Sequence, residues 1–384
     1  MKLRRSYIGI AAALMILPAL ALTAPAGAEP VPVEWTVMVY MDGDNNVESY
    51  ALMDLAELEL VGSSGDVNIV VLLDTYGEEA NLLYVQSPTS EVVEPWGEPS
   101  MGDPATLTSF IDRAEYLYPA DKYALVMWNH GGGIRGLCWD DDNGGDYLRM
   151  SEFREGLVNA QVSFDVIVLN ACVMATAEIA HQMVGYADYV VFSQENMYAV
   201  GFPYDLVAQD LVTSPEMEGE ALATMMAGHY IADFTVRGWD GVTISVYDMS
   251  RVDNVASAVK SFGEAMRPTV AAYYMEYKTL RRLTPAPNNA ADLVTFATMV
   301  MDSGVIADAA VKASAQAVVT AVGEAIILEW HSEDITGENG LGIWFPTKSV
   351  KYYWGDSYET LYRGLVFDGA TGWADFLDTY YNKG

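Results

Sequence analysis

Continuous apolar runs of strand length recur through the first 250 residues, and the stretches between them carry helical spacing. Residues 34–42 (EWTVMVYMD), 67–74 (VNIVVLLD), 122–128 (KYALVMW), 164–169 (FDVIVL) and 189–194 (YVVFSQ) read as strands. Residues 48–61, 104–118, 151–160 and 174–186 read as helices, the second with Pro104 in its first turn. A strand that is apolar along its whole length is buried on both faces, which needs helices above and below a parallel sheet. The chain is therefore predicted to be α/β, with a mostly parallel central sheet and a short edge strand at 81–86.

Beyond a strand at 241–248 the rhythm changes. Long Ala/Met/Val-rich helical stretches at about 250–277 and 305–330 precede a last strand at 340–346. Without a Pro/Gly/Ser-rich linker, this α-rich part is expected to pack on the sheet, giving domains at 29–250 and 251–384. Residues 1–28 read as a signal peptide: Lys2, Arg4 and Arg5 precede an apolar segment from Ile8 to Leu22 and a small-residue site, Ala26-Gly27-Ala28. No later stretch has the apolar length of a membrane span, so the mature chain is expected to be secreted. Acidic residues outnumber basic ones 53 to 20, a formal charge of −33. That argues against a nucleic-acid partner, whose phosphates demand a basic face.

In an open parallel sheet, reactive groups gather beyond the carboxyl ends of the strands. Two strands deliver them there: LVMWNHGGG carries His130 past its end, and VIVLNAC carries Cys172. The two lie 42 residues apart, and the helix at 151–160 supplies the crossover that sets their strands side by side. A thiol and an imidazole so placed form a nucleophile with its proton carrier. The N–H of Gly131, in an open glycine run, and that of Cys172 are the candidate oxyanion donors. Of the other cysteine and histidines, Cys138 is expected to be buried. His181 lies nine residues past Cys172 along a helix, and His229 and His331 have no partner at metal-ligand spacing.

The segments VMWNHGGGIRGLCWDDDNGGDYLRMSEF and FDVIVLNACVMATAEIAHQMVGYADYVVFSQENMYAVGFPYD resemble the two catalytic blocks of the clostripain family, and VYMDGDNNVE resembles its first strand and turn. The family belongs to the cysteine-peptidase clan that also holds caspases, legumains and gingipains. The resemblance implies a caspase-like α/β/α sandwich, His130 and Cys172 as a catalytic dyad, and protein or peptide substrates. The family usually has Asp-Ala-Cys, with that aspartate facing the pocket for a basic P1 side chain; this chain has Asn170. Glu195 or Asp205 is the expected replacement for the lost charge, and without one a neutral polar P1 residue is the alternative.

Family members are often cut between the two blocks, and Arg149, beyond the Gly144-Gly145 turn, is the expected site, leaving a monomer of two associated chains. No cofactor is required by this chemistry. Some relatives use calcium, and Asp140, Asp142 and Asp146 in WDDDNGGDY are candidate ligands, although the stretch departs from the EF-hand pattern. The competing reading is a catalytically inactive exported binding protein with the same fold. An esterase is excluded by the lack of a Gly-x-Ser-x-Gly elbow beside His-Gly-Gly-Gly.

Overall fold

The structure, a computed structural model, describes residues 31–349, 352–353, 356–357 and 361–383; the leader expected at 1–28 lies outside the described residues. The chain opens with β1 (Val33–Gly43), α1 (Glu48–Val61) and β2 (Val67–Thr75), then a hairpin of β3 (Ala80–Tyr84) and β4 (Glu91–Gly97). Helix α2 (Pro104–Leu117) leads to β5 (Ala120–Trp128), a second hairpin of β6 (Gly136–Asp140) and β7 (Asp146–Arg149), and α3 (Met150–Ala160). Next come β8 (Phe164–Asn170), α4 (Ala177–Gln182), β9 (Ala187–Phe192), α5 (Tyr204–Thr213), α6 (Gly219–Arg237) and β10 (Thr243–Asp248). The remainder holds α7 (Val252–Met266), α8 (Val270–Leu283), β11 (Ala290–Asp292), α9 (Leu293–Asp302) and α10 (Ala309–Ala325). It continues through β12 (Ile326–His331) and β13 (Gly342–Trp344) to two short helices, Val366–Thr371 and Trp373–Tyr381.

Among the described residues nine strands form one sheet in the order β12-β10-β9-β8-β5-β1-β2-β3-β4. The central run from β2 through β1, β5 and β8 to β9 is parallel. Antiparallel pairs close both margins. Alternate side chains of β1 enter different cores, Met38 and Tyr40 one and Val39 and Met41 the other. Helices α1, α5 and α6 cover the second core, while α2, α3, α4, α7, α9 and α10 cover the first. This is the expected three-layer α/β/α sandwich, and its parallel strands are apolar throughout because helices lie on both faces.

The structure departs from the sequence reading at three elements. The helix expected at 174–186 is only α4, because the N–H groups of Val173 and Ala175 donate across to the carbonyls of Glu195 and Ser193 at 3.0 and 2.8 Å. Val173 turns the chain with φ 57°, and Thr176 then caps the helix by accepting from Ile179 N at 3.3 Å. The helix expected to run to 330 stops at Ala325, and Ile326–His331 pairs antiparallel with β10. Its Ile, Leu and Trp side chains suit either element, and the unpaired sheet margin decides in favour of a strand. The edge strand at 81–86 is one arm of a hairpin whose partner, β4, carries little apolar signal.

The C-terminal part grips the segment that follows Cys172. Gly342 N donates to Ala175 O at 2.9 Å, and the buried Glu178 carboxylate accepts from Trp344 N and the Tyr362 hydroxyl, both at 2.9 Å. Trp373 is fully buried, donates its indole N–H to Trp344 O at 3.1 Å and packs on Phe345 and Phe376. Truncating it leaves a large cavity and an unpaired carbonyl, so Trp373→Ala is expected to lower stability by about 3–5 kcal/mol in thermal or denaturant melts. A variant that melts with the wild type would show that this clamp carries no load.

Candidate active site

Strands β5 and β8 are neighbours, and their register pairs Ala124 with Val166 and Trp128 with Asn170. The same offset carried two residues past both strands brings His130 level with Cys172. The backbones there are almost in contact: a Cβ added to Gly131 would sit 2.2 Å from Cys172 O and 2.7 Å from Cys172 N. Only glycine allows this approach. It leaves the Gly131 N–H facing the Cys172 sulfur, where it draws the thiol pKa down against a larger effect of burial. The loop closes through Gly132 N donating to Gly136 O at 2.9 Å and Asn288 Nδ2 donating to Gly132 O at 3.0 Å.

His130 and Cys172 line one cavity of about 140 Å³, with Trp128, Asn170, Met197 and Tyr198 among its walls. They do not bond to each other. The imidazole Nε2 meets Asn46 Oδ1 at 2.9 Å, and the thiol donates to Met197 O at 3.6 Å. Burial lowers the His130 pKa, with Asp141 opposing it, and burial raises that of Cys172. Burial thus favours the neutral imidazole and the thiol over the charged pair. Both cysteines are free, and Cys138 is sealed in the core with its pKa pushed well up by burial.

Residues not singled out in the sequence set the imidazole's position. Asn129 Oδ1 accepts from His130 N and, at 3.2 Å, from Trp139 N, while its Nδ2 donates to Asp42 O. Asn45 Nδ2 donates to Trp139 O at 2.6 Å. These side chains and Asn46 lie beyond the ends of β5 and β1, so the strand-end rule that found His130 reaches them too.

The candidate specificity residues separate. Asn170 lines the cavity and donates Nδ2 to the Tyr204 hydroxyl at 3.0 Å. Glu195 lines a different cavity, with Gly131, Arg135, Trp139 and Asn288. Asp205 lies in the first turn of α5, where it adds to the larger effect of burial in raising the pKa of Glu57. Behind Trp128 and Asn170 stands a carboxylate the sequence reading passed over. Asp54 on α1 is fully buried and accepts from Trp128 Nε1 at 2.7 Å. Burial pushes its pKa up to about 8. No local signal marks it, since it occupies a polar position on an ordinary helix.

The acidic loop is folded rather than loose. Asp140 accepts from Met101 N, Asn143 N and Asn143 Nδ2, Asp142 from Gly77 N at 2.6 Å, and Asp146 from Ser100 Oγ at 2.8 Å. The carboxylates that converge are Asp44, Asp74 and Glu98, with one oxygen of each within 4.8 Å of the others. Asp42, Asp44 and Asp74 are fully buried. Among the described residues, Asp42 Oδ2, Asp44 Oδ1 and both oxygens of Asp74 have no hydrogen-bond partner. Burial, then neighbouring carboxylates, raises Asp74 to about 8, and Asp44, where burial again leads, to about 7. Arg149 pairs with Gly136 across the β6–β7 hairpin, and its N–H donates to Glu152 Oε2 at 2.9 Å.

The clostripain family model matches residues 39–380. Clostripain from Hathewaya histolytica is 34% identical over 216 residues, which cover 45% of this chain and 41% of that protein's length. A secreted C11 cysteine protease from Bacteroides thetaiotaomicron, solved with an irreversible peptide inhibitor, superposes with a TM-score of 0.69 at 20% identity. That match covers 89% of this chain and 99% of the other. An inactive zymogen C11 protease from Parabacteroides distasonis gives 0.63 at 22% identity, covering 89% and 99%. At these identities the two structures speak for the fold. The family match over most of the length carries the assignment: this chain belongs to the clostripain family of C11 peptidases.

Proposed function

We propose that the chain is a secreted cysteine endopeptidase in which Cys172 is the nucleophile and His130 its proton carrier. The observation that carries this is the register of β5 and β8, which brings His130 and Cys172 onto one cavity with the Gly131 backbone against Cys172. As the sulfur attacks the peptide carbonyl, the thiol proton passes to the neutral imidazole. The carbonyl oxygen takes the negative charge, and the N–H groups of Gly131 and Cys172 stabilise it. The C–N bond then breaks, the departing amine takes the proton from the imidazolium, and water hydrolyses the thioester by the reverse sequence. The catalytic half is 29–250, with 251–384 packed against it. The basic-apolar-small order of residues 1–28 supports export. We further assign an activating cut at Arg149, which needs local opening of the β6–β7 hairpin because its backbone is paired there.

The chemistry needs no metal, but the fold fits one as a structural ion. Several fully buried carboxylates with orphaned oxygens are costly without a counter-charge, and hard oxygen donors suit calcium or magnesium. Asp44, Asp74 and Glu98 are the residues that would hold it. Because Asp44 is followed by Asn45 and Asn46, a cation there also steadies the loop that carries the partner of His130.

Cys172→Ala and His130→Ala are each expected to lose roughly a thousandfold in kcat/KM on fluorogenic peptides. Equal turnover by wild type and Cys172→Ala would leave the binding-protein reading standing. His130 must be neutral to take the proton, and burial keeps it neutral to lower pH. The acid limb of kcat/KM is thus expected below about 6.5, the ordinary histidine value; a limb above that value contradicts the assignment. Arg149→Ala is expected to stay a single chain on a denaturing gel under conditions that cut the wild type.

For the cation, sign matters. Carboxylates whose folded pKa is raised to about 7 and 8 stabilise below the unfolded carboxylate range and lose that contribution as pH rises through those values. Melting temperature in chelator should therefore fall between about pH 5 and 8, and calcium should recover several degrees of it. Asp74→Asn should remove the calcium response; a response that survives it puts the ion elsewhere.

A further inference from the structure

We propose that Tyr198 and Trp239 form a binding site for a large apolar or aromatic side chain that the substrate carries two to four residues before the scissile bond. This rests on the peptidase reading above and adds a second place where that enzyme reads sequence. The order of the strands decides which part of a peptide reaches the pair. Neighbours in the sheet run β10-β9-β8-β5-β1, and the last four of these are parallel, so they end at one rim. Strand β10 is antiparallel to β9 and therefore starts at that rim. Glu195 N, just past β9, donates to Oγ1 of Thr243, the first residue of β10, at 3.1 Å. Along the rim stand in turn Trp239 before β10, Tyr198 after β9, Cys172 after β8, His130 after β5 and Asn46 after β1. The reactive side chains lean apart in the same sense: His130 bonds to Asn46, and the Cys172 thiol donates to Met197 O. His130 hands its proton to the departing amine, so the leaving half of the peptide lies toward β1. The acyl half then lies toward β9 and β10, over Tyr198 and Trp239.

The two rings are held as a platform. Tyr198 lines the cavity of His130 and Cys172, yet 41% of it is exposed. Its ring lies 4.5 Å from that of Trp239 and 5.7 Å from that of the buried Phe234, and Trp239 and Phe234 are 5.6 Å apart. The Tyr198 hydroxyl donates to Asp240 O at 3.0 Å, and Gly241 N donates to Asp334 Oδ1 at 3.1 Å. The loop after β9 and the turn before β10 are thus locked together, with Trp239 only half-buried. Arg237 stands 5.2 Å over the Trp239 ring, but it is itself exposed and free to swing aside. Adjacent strands lie about 4.8 Å apart and an extended peptide advances about 3.3 Å per residue, so the two spacings from β8 to β10 amount to about three residues. An aromatic side chain at that distance meets both rings and gains stacking or edge contacts beyond its burial. Exposed rings that continue a reactive cavity mark a recognition surface, whereas scattered ones do not.

The test uses internally quenched peptides that share whichever P1 residue wild type cleaves best and carry Phe or Ala singly at each neighbouring position. At one of the second to fourth positions before the scissile bond, wild type should favour Phe by about tenfold in kcat/KM, the scale of one aromatic contact. Trp239→Ala should bring that ratio to about two or less, with melting temperature and labelling of Cys172 checked to show that the variant is folded. Should it not fold, Trp239→Leu keeps an apolar side chain against Phe234 and should lower the same ratio. A wild-type ratio near one at all three positions overturns the proposal, as does a ratio that the Trp239 variants leave unchanged. A Phe preference found only after the scissile bond also overturns it, because the acyl half would then lie on the other side. Failure to cleave any peptide, with Cys172 unlabelled by a thiol-reactive probe, sinks the peptidase reading and the proposal with it.

Discussion

Everything at the site follows from how closely two backbones approach. The ends of β5 and β8 lie side by side in a parallel sheet, and the chain leaves β5 through glycine where any Cβ would collide with the Cys172 main chain. That contact sets the height of His130 relative to Cys172 and turns a backbone N–H toward the sulfur. It also explains why the thiol and imidazole need no bond to each other at rest. The frame holds them on one cavity.

Around this frame the protein buries a set of carboxyl groups, several of which burial pushes toward the neutral form. Asp42, Asp44, Asp54, Asp74, Asp140 and Glu178 are all fully buried. Glu178 and Asp140 are held by hydrogen bonds from backbone and side chains, and they tie the Cys172 segment and the acidic hairpin to their neighbours. Asp54 keeps one oxygen, and Asp74 both, without a hydrogen-bond partner among the described residues. The surplus of acidic residues thus has an interior counterpart as well as a solvated surface.

The C-terminal part bears on the site through the main chain. Gly342 holds Ala175, Asn288 holds Gly132, and Glu178 receives Trp344 and Tyr362. Both flanks of the reactive pair are therefore braced by residues more than a hundred positions away. The helices α7, α9 and α10 share one core with α2, α3 and α4, so this bracing rests on a continuous apolar layer.

The sequence by itself determined what depends on neighbours along the chain. Apolar runs such as 122–128 and 164–169 declare buried parallel strands, and the polar residues just past them mark the rim where His130 and Cys172 stand. Tertiary structure decided what depends on distant elements meeting. Asp54 sits in α1, Asn170 ends β8 and Gly201 precedes α5, and no periodicity links the three. Asp44, Asp74 and Glu98 come from three separate segments, whereas Asp140, Asp142 and Asp146 lie close together along the chain. The segment at 326–331 carries an apolar pattern that helix and strand share, and an open sheet edge chose between them. Local pattern fixes the preference of a segment, whereas burial and charge are properties of the space that several segments enclose.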